Sequence, residues 1–177
     1  MRQMEEALNL ENRRKIYEFI SKNPGTYLRE MERDLGMQPG LLSYHLDYLE
    51  TRALLRIEDD GYRKRYFPEA EYKLKGRKVI SLLRLDSPRK ILIHLLVHES
   101  ASFKDLLAAV GVSKSTLSYN MKKLTAAGVV RVGRSERELV YNVDSPDEVA
   151  DLLIAIRESL GNDAVDRFVD IWSKLSG

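Results

Sequence analysis

Apolar residues in this chain fall into short helical and strand-like stripes, and the whole arrangement occurs twice. Between Lys114 and Ala126, Leu117, Met121 and Leu124 recur at i, i+4 and i+7, the spacing of one buried helix face with the remainder turned outward. Ser113 stands where an N-cap is required, and Val112 before it can staple onto Leu117, so local chemistry sets the start of this helix. The stretch GVSKSTLSYNMKKLTAAGVVR, Gly111 to Arg131, has a counterpart 75 residues upstream in GMQPGLLSYHLDYLETRALLR, Gly36 to Arg56. The offset holds without a gap from Arg14/Arg89 to Tyr66/Tyr141, and ten of the 53 aligned pairs are identical. Most other apolar positions match in kind, so the repeat predicts two small domains of one design.

The elements predicted for the first copy are a helix from Met4 to Asn23, a helix from Tyr27 to Leu35, a turn at Gly36 and a helix from Pro39 to about Arg52. Pro39 suits a first helical position, with Met37 and Leu42 as the staple, but Gln38 is a poor N-cap. Two strand-like runs follow, Leu54 to Ile57 and Tyr62 to Phe67, around an Asp-Gly turn that signals a hairpin. The second copy repeats the order: helices Pro88 to His98, Ser102 to Val110 with Ser102 as cap, and Lys114 to Ala126, then strands Val129 to Val132 and Leu139 to Val143. Beyond Asp144, Ser145 as cap and Pro146 open a helix carrying Val149, Leu152, Leu153, Ile156 and Leu160 on one face. Gly161-Asn162 breaks it, and Val165, Phe168, Trp172 and Leu175 line a last helix.

Helix, turn, helix and then a two-stranded hairpin is the winged helix-turn-helix. The expected fold is therefore mainly α with small β-hairpins (α+β): two tandem winged helix-turn-helix domains plus a C-terminal helical hairpin. The expected boundaries are 1–68 for the first winged domain, 69–86 for a basic, partly helical connector, 87–144 for the second winged domain, and 145–177 for the hairpin. The hairpin is the candidate dimerisation element, because two-fold dimers match palindromic half-sites.

Composition narrows the function. Cysteine is absent, so neither disulfides nor thiolate metal sites are available. No apolar run reaches the length of a membrane span and the start lacks a signal-peptide core, which predicts a soluble, cytoplasmic protein with no membrane partner. The net charge of +2 conceals a division: residues 1–68 balance twelve basic against twelve acidic, residues 69–143 carry fourteen against seven, and residues 144–177 three against eight. The second copy is thus the basic one, an argument about partners rather than fold.

On that copy the outward side of the third helix offers Lys114, Ser115, Thr116, Ser118, Tyr119 and Lys122, a mixture of hydroxyls and ammonium groups suited to base edges and phosphates. Arg131, Arg134 and Arg137 are the candidate contacts of its wing. The first copy offers Ser43 and Tyr44 on the helix and Arg63, Lys64 and Arg65 on the wing, but Asp47 stands where the second copy has Lys122. Double-stranded promoter DNA is the expected partner, met chiefly by the second copy.

The stretch LLSYHLDYLETRALLR resembles the recognition-helix and strand segment of ArsR-like and MarR-like winged-helix transcription regulators, and the duplicated layout resembles archaeal tandem winged-helix regulators. The likeness covers about 130 of 177 residues. It implies sequence-specific DNA binding in transcription regulation, and places Ser43, Tyr44 and His45, with Ser118, Tyr119 and Asn120, on the recognition-helix positions. The cysteine motif of metal-sensing ArsR-type repressors is missing, so the resemblance carries no metal here. His94 and His98 lie one helical turn apart with no carboxylate or cysteine set evident beside them, and read as ordinary helix residues. No cofactor is expected, and no phosphate loop or nucleophile-base motif suggests an enzyme. The alternative class is a winged-helix protein-interaction adaptor, such as a kleisin-binding subunit of a condensin-like complex.

Overall fold

The computed structural model describes residues 2–175; Met1, Ser176 and Gly177, which fall in the first and last expected segments, lie outside the described residues. The chain forms two compact units, Met1–Ser81 and Leu82–Gly177.

The first unit opens with α1 (Arg2–Ala7) and α2 (Glu11–Lys22), where a single helix was expected. The chain leaves helical geometry before Leu10, which takes an extended φ/ψ of −81° and 129° and accepts the Arg14 N–H through its carbonyl as the N-cap of α2. Ala7 is fully buried, whereas Leu10 is exposed. The helices α3 (Leu28–Leu35) and α4 (Pro39–Thr51) follow, joined through Gly36 in the left-handed region at φ 64°, where a residue without Cβ is favoured. The strands β1 (Leu55–Asp59) and β2 (Lys64–Pro68) pair antiparallel, with Leu55 opposite Pro68. Ile16, Ile20, Met31, Leu42, Leu46, Leu49, Leu55 and Tyr66 form the core beneath α4. Within the expected connector, α5 (Leu74–Leu83) is held to the first hairpin by Arg77, whose Nε meets Glu58 at 2.7 Å.

In the second unit, α6 (Asp86–His98), β3 (Ala101–Ser102), α7 (Phe103–Val110), α8 (Lys114–Ala126), β4 (Val130–Ser135) and β5 (Glu138–Val143) reproduce the order. The strand β3, too short to show a periodicity in the sequence, adds to the sheet in the order β3-β5-β4. Its first-copy equivalent is the isolated bridge Thr26 to Tyr66. Equivalent positions fill equivalent cores: Ile91, Leu95, Leu106, Leu117, Met121, Leu124 and Val130 are buried at the same register as Ile16, Ile20, Met31, Leu42, Leu46, Leu49 and Leu55. The helices α9 (Pro146–Leu160) and α10 (Asp163–Leu175) pack on one another, and α10 also lies on α6. Ser145 does not cap α9 as expected. At φ −132° and ψ 79° its hydroxyl donates to the Asp144 carboxylate instead. Asn162 caps α10, accepting the Ala164 N–H at 2.9 Å.

Candidate nucleic-acid interface

The third helix of each unit is seated by leucines and presents the opposite side outward. On α8, Leu117, Asn120, Met121 and Leu124 face in, while Lys114, Ser115, Thr116, Tyr119 and Lys122 are exposed and Ser118 is half-buried. Tyr119 retains 53% of its surface, so its ring stands out from the ridge. At the start of α8, Ser113 Oγ accepts the Thr116 N–H at 3.1 Å and donates to Thr116 Oγ1 at 2.8 Å. These two hydrogen bonds fix the first turn and leave the Thr116 O–H as an outward donor. No acidic residue occurs in α8.

The helix α4 has the same frame with different chemistry. Gln38 makes no side-chain cap bond, and Pro39 occupies the first helical position. Ser43, Tyr44 and Asp47 are exposed, but the helix contains no Lys or Arg, and Asp47 with Glu50 makes its outer face acidic.

Three of the expected contact residues point elsewhere. His45 is 4% exposed, against expectation, and sits under α4 against Arg13 and the edge of Tyr44. Asn120, at the same register in α8, is likewise buried and donates to the Thr116 carbonyl at 2.9 Å. The position i+3 from the first core leucine therefore belongs to the inward face in both copies. Arg65 is 2% exposed and no phosphate can reach it. Its Nε bonds Asp60 at 2.6 Å and its Nη1 the Gly25 carbonyl at 2.8 Å, so it holds the hairpin to the turn before α3.

Each wing carries exposed cations. Arg63 and Lys64 are exposed on the first; Arg134 and Arg137 are exposed on the second. Arg131 is exposed but forms an ion pair with Asp144. Arg56, its identical partner in the repeat, forms an ion pair with Glu69, which stands at the register of Asp144. The Arg56/Arg131 identity thus marks a repeated strand-base ion pair, and the acidic residue 13 positions later in both copies was the signal that could have shown it. His98 Nδ1 lies 2.9 Å from the His94 carbonyl and the two rings stack at 4.1 Å. Among the described residues no group of three or more His, Cys, Asp or Glu is placed to hold a metal ion, and no helix is long and apolar enough to cross a membrane.

Residues 10–80 match a family described as an N-terminal HTH domain, and residues 84–131 match one described as winged helix-turn-helix DNA-binding. The chain is a tandem winged helix-turn-helix protein. It is similar to an uncharacterized HTH-type transcriptional regulator of Methanocaldococcus jannaschii, at 28% identity over 140 residues, which cover 79% of this chain. The chain spans about a third of the length of that relative, 35%. Similar solved structures include the transcriptional repressor BigR from Xylella fastidiosa, at 19% identity over 42% of this chain and 76% of that chain, with a TM-score of 0.38. The transcriptional repressor PagR of Bacillus anthracis matches at 16% identity, 45% and 91% coverage and a TM-score of 0.41. The AntR antimony-specific transcriptional repressor matches at 21% identity, 52% and 93% coverage and a TM-score of 0.38.

Proposed function

We propose that this chain is a sequence-specific, double-stranded DNA-binding transcription regulator in which the second winged helix supplies most of the affinity. The observation that carries this reading is the α8 ridge: Ser115, Thr116, Tyr119 and Lys122 on one exposed stripe, with Lys114 at its start and no carboxylate along the helix. A convex, polar, cationic helix of this kind fits a major groove, where hydroxyls meet base edges and ammonium groups meet phosphates. Arg134 and Arg137 add two exposed cations on the wing, beside Glu136 and Glu138. The descriptions of the matching families and of the archaeal relative support the same reading. With a DNA partner goes a cytoplasmic location.

Selection of bound duplexes from a random pool tests the proposal, because an enriched motif reports specificity and half-site spacing together. If about six phosphates are engaged, affinity falls on the order of a thousandfold between 50 and 200 mM salt. A flat salt response with no enriched motif would replace this reading by that of a protein-binding adaptor.

The finer reading is a homodimer through residues 145–177. It is supported by Ile171 and Leu175, apolar residues left 42% and 63% exposed on α10 after Val165 and Phe168 are buried within the same chain. A self-complementary patch of this kind suits a two-fold axis. Deleting the segment would strip cover from α6, so Ile171→Asp with Leu175→Asp is the cleaner variant, and an unchanged mass in solution would refute the assignment.

A further inference from the structure

We propose that the first winged domain carries a binding site for a single nucleotide unit, an unstacked base with its phosphate, in the cleft between the start of α3 and the tip of its hairpin. The cleft is separate from the α8 ridge and takes a different ligand, although Arg63 and Lys64 at its rim are also the first wing's candidate duplex contacts. The cleft has a volume of about 630 Å³ and is lined by Tyr27, Arg29, Tyr62, Arg63, Lys64 and Tyr66, with Leu28 beside them. Its size is that of a small-ligand pocket. Three cations border it, and none of its lining residues is acidic.

The aromatic and cationic groups are interleaved in the manner that single bases and their phosphates require. The Arg63 guanidinium lies over the Tyr27 ring at 4.3 Å from its centroid, which holds this cation at the cleft wall. Tyr62 keeps 71% of its surface and offers a ring face on which a base can stack. Arg29 and Lys64 are both exposed and line the cleft, where they can reach the phosphate.

The site is also held in shape from beneath. Asp60 accepts the Tyr62 and Arg63 N–H groups at 2.9 Å each, and Arg65 joins Asp60 to the Gly25 carbonyl. The hairpin tip is therefore fixed before a ligand arrives, which lowers the ordering cost of binding. The second copy has Ser102, Arg137, Glu138 and Leu139 where the first has Tyr27, Tyr62, Arg63 and Lys64. The shared fold does not require this cluster, so it is a property of the first domain alone.

The nucleotide unit has two sources, a free mononucleotide or a single-stranded nucleic acid, and calorimetry on the full chain separates them. Adenosine monophosphate, adenosine, inorganic phosphate and an octameric single strand are titrated in turn. The expected result is saturable one-to-one binding of the monophosphate or of the strand, with adenosine and inorganic phosphate each weaker by about tenfold or more. A strand bound about tenfold tighter than the monophosphate assigns the single-stranded source, and equal or weaker binding assigns the free nucleotide. Tyr62→Ala and Arg29→Ala, both at exposed positions, should each weaken the interaction by about fivefold or more, while leaving the melting temperature and duplex binding unchanged. Absence of saturable binding for both nucleotide probes, inorganic phosphate binding as tightly as the monophosphate, or indifference to Tyr62→Ala would overturn the site. Duplex binding retained alongside any of these results would leave the α8 reading standing.

Discussion

Arg65 and Asp60 meet at 2.6 Å with only 2% and 5% of their side chains exposed, a closed ion pair inside the first hairpin. Burial pushes the Asp60 carboxyl up, but the Tyr62 and Arg63 N–H groups and the Arg65 guanidinium together hold it below the ordinary aspartate range. The second copy has Ser135 and Val140 at these positions. Removing one member of such a pair leaves an unmatched buried charge, whereas removing both need not. Arg65→Ala should therefore destabilise the first unit by about 3–5 kcal/mol. The double variant Asp60→Ser with Arg65→Val, which installs the second copy's residues, should recover at least half of that loss. Urea unfolding compares them, and a double variant no more stable than Arg65→Ala would refute the account.

The buried imidazole of His45 predicts sensitivity to mild acid. Burial first, and the Arg13 guanidinium second, lower its pKa from the ordinary histidine value, and its Nδ1 has no hydrogen-bond partner. The unfolded chain then takes up a proton that the folded chain refuses. Stability is thus full above the unfolded value near 6.5 and is lost as pH falls through the folded pKa, with a slope of up to about 1.4 kcal/mol per pH unit. His94, also lowered by burial and then by His98, adds a slope of the same sign in the second unit. His45→Asn copies Asn120 and should flatten the first unit's response between about pH 7.5 and 5.5 without loss at neutral pH. Unfolding midpoints at the two pH values check this, and an unchanged slope would remove His45 as the cause.

Charge reversal at one register separates the two reading helices. Asp47 and Lys122 occupy equivalent exposed positions, one repelling phosphate and the other attracting it. Lys122→Glu should weaken duplex binding by about tenfold or more and reduce the salt slope by about one ion. Asp47→Lys should strengthen binding, and by less. Equal or opposite effects in a binding titration at fixed salt would defeat the proposed division of labour.

How much of this structure is legible in the sequence depends on the range of the interactions involved. The bounds of α8 and the caps at Ser113 and Ser102 are legible because a side chain and the backbone three residues away decide them; the answering Asp105 side chain completes a capping box. Leu117, Met121 and Leu124 identify the inner stripe of α8, but Asn120 and its repeat partner His45 lie on the inward face as well, where a polar side chain gives no hydrophobic signal. Arg65 was misplaced for a longer-range reason. The Gly25 carbonyl, forty residues before it, accepts from the guanidinium that a free hairpin would leave in solvent. The break between α1 and α2 carries no Gly or Pro, so nothing in the pattern marked it. Arg131 looked like a wing contact until the paired strand brought Asp144 to it.

The starts of α4 and α8 offer a last comparison, in which sequence, local structure and binding are joined. Gln38 and Ser113 share one register and the same extended backbone, with φ/ψ of −64°/142° and −65°/155°, yet only Ser113 bonds its own helix through its side chain. The geometry of a cap is thus present at Gln38 and the chemistry is missing. Gln38→Ser should let a hydroxyl accept the Leu41 N–H, as Ser113 accepts that of Thr116, and stabilise the first unit by about 0.5–1 kcal/mol. Ser113→Ala should cost the second unit about 1 kcal/mol, and because Ser113 also orients Thr116 Oγ1, it should weaken duplex binding even where the protein remains folded. Denaturation midpoints and duplex titrations on the same samples distinguish the two effects. A Ser113→Ala chain that loses stability but binds the selected duplex as tightly as before would show that the first turn of α8 lies outside the contact.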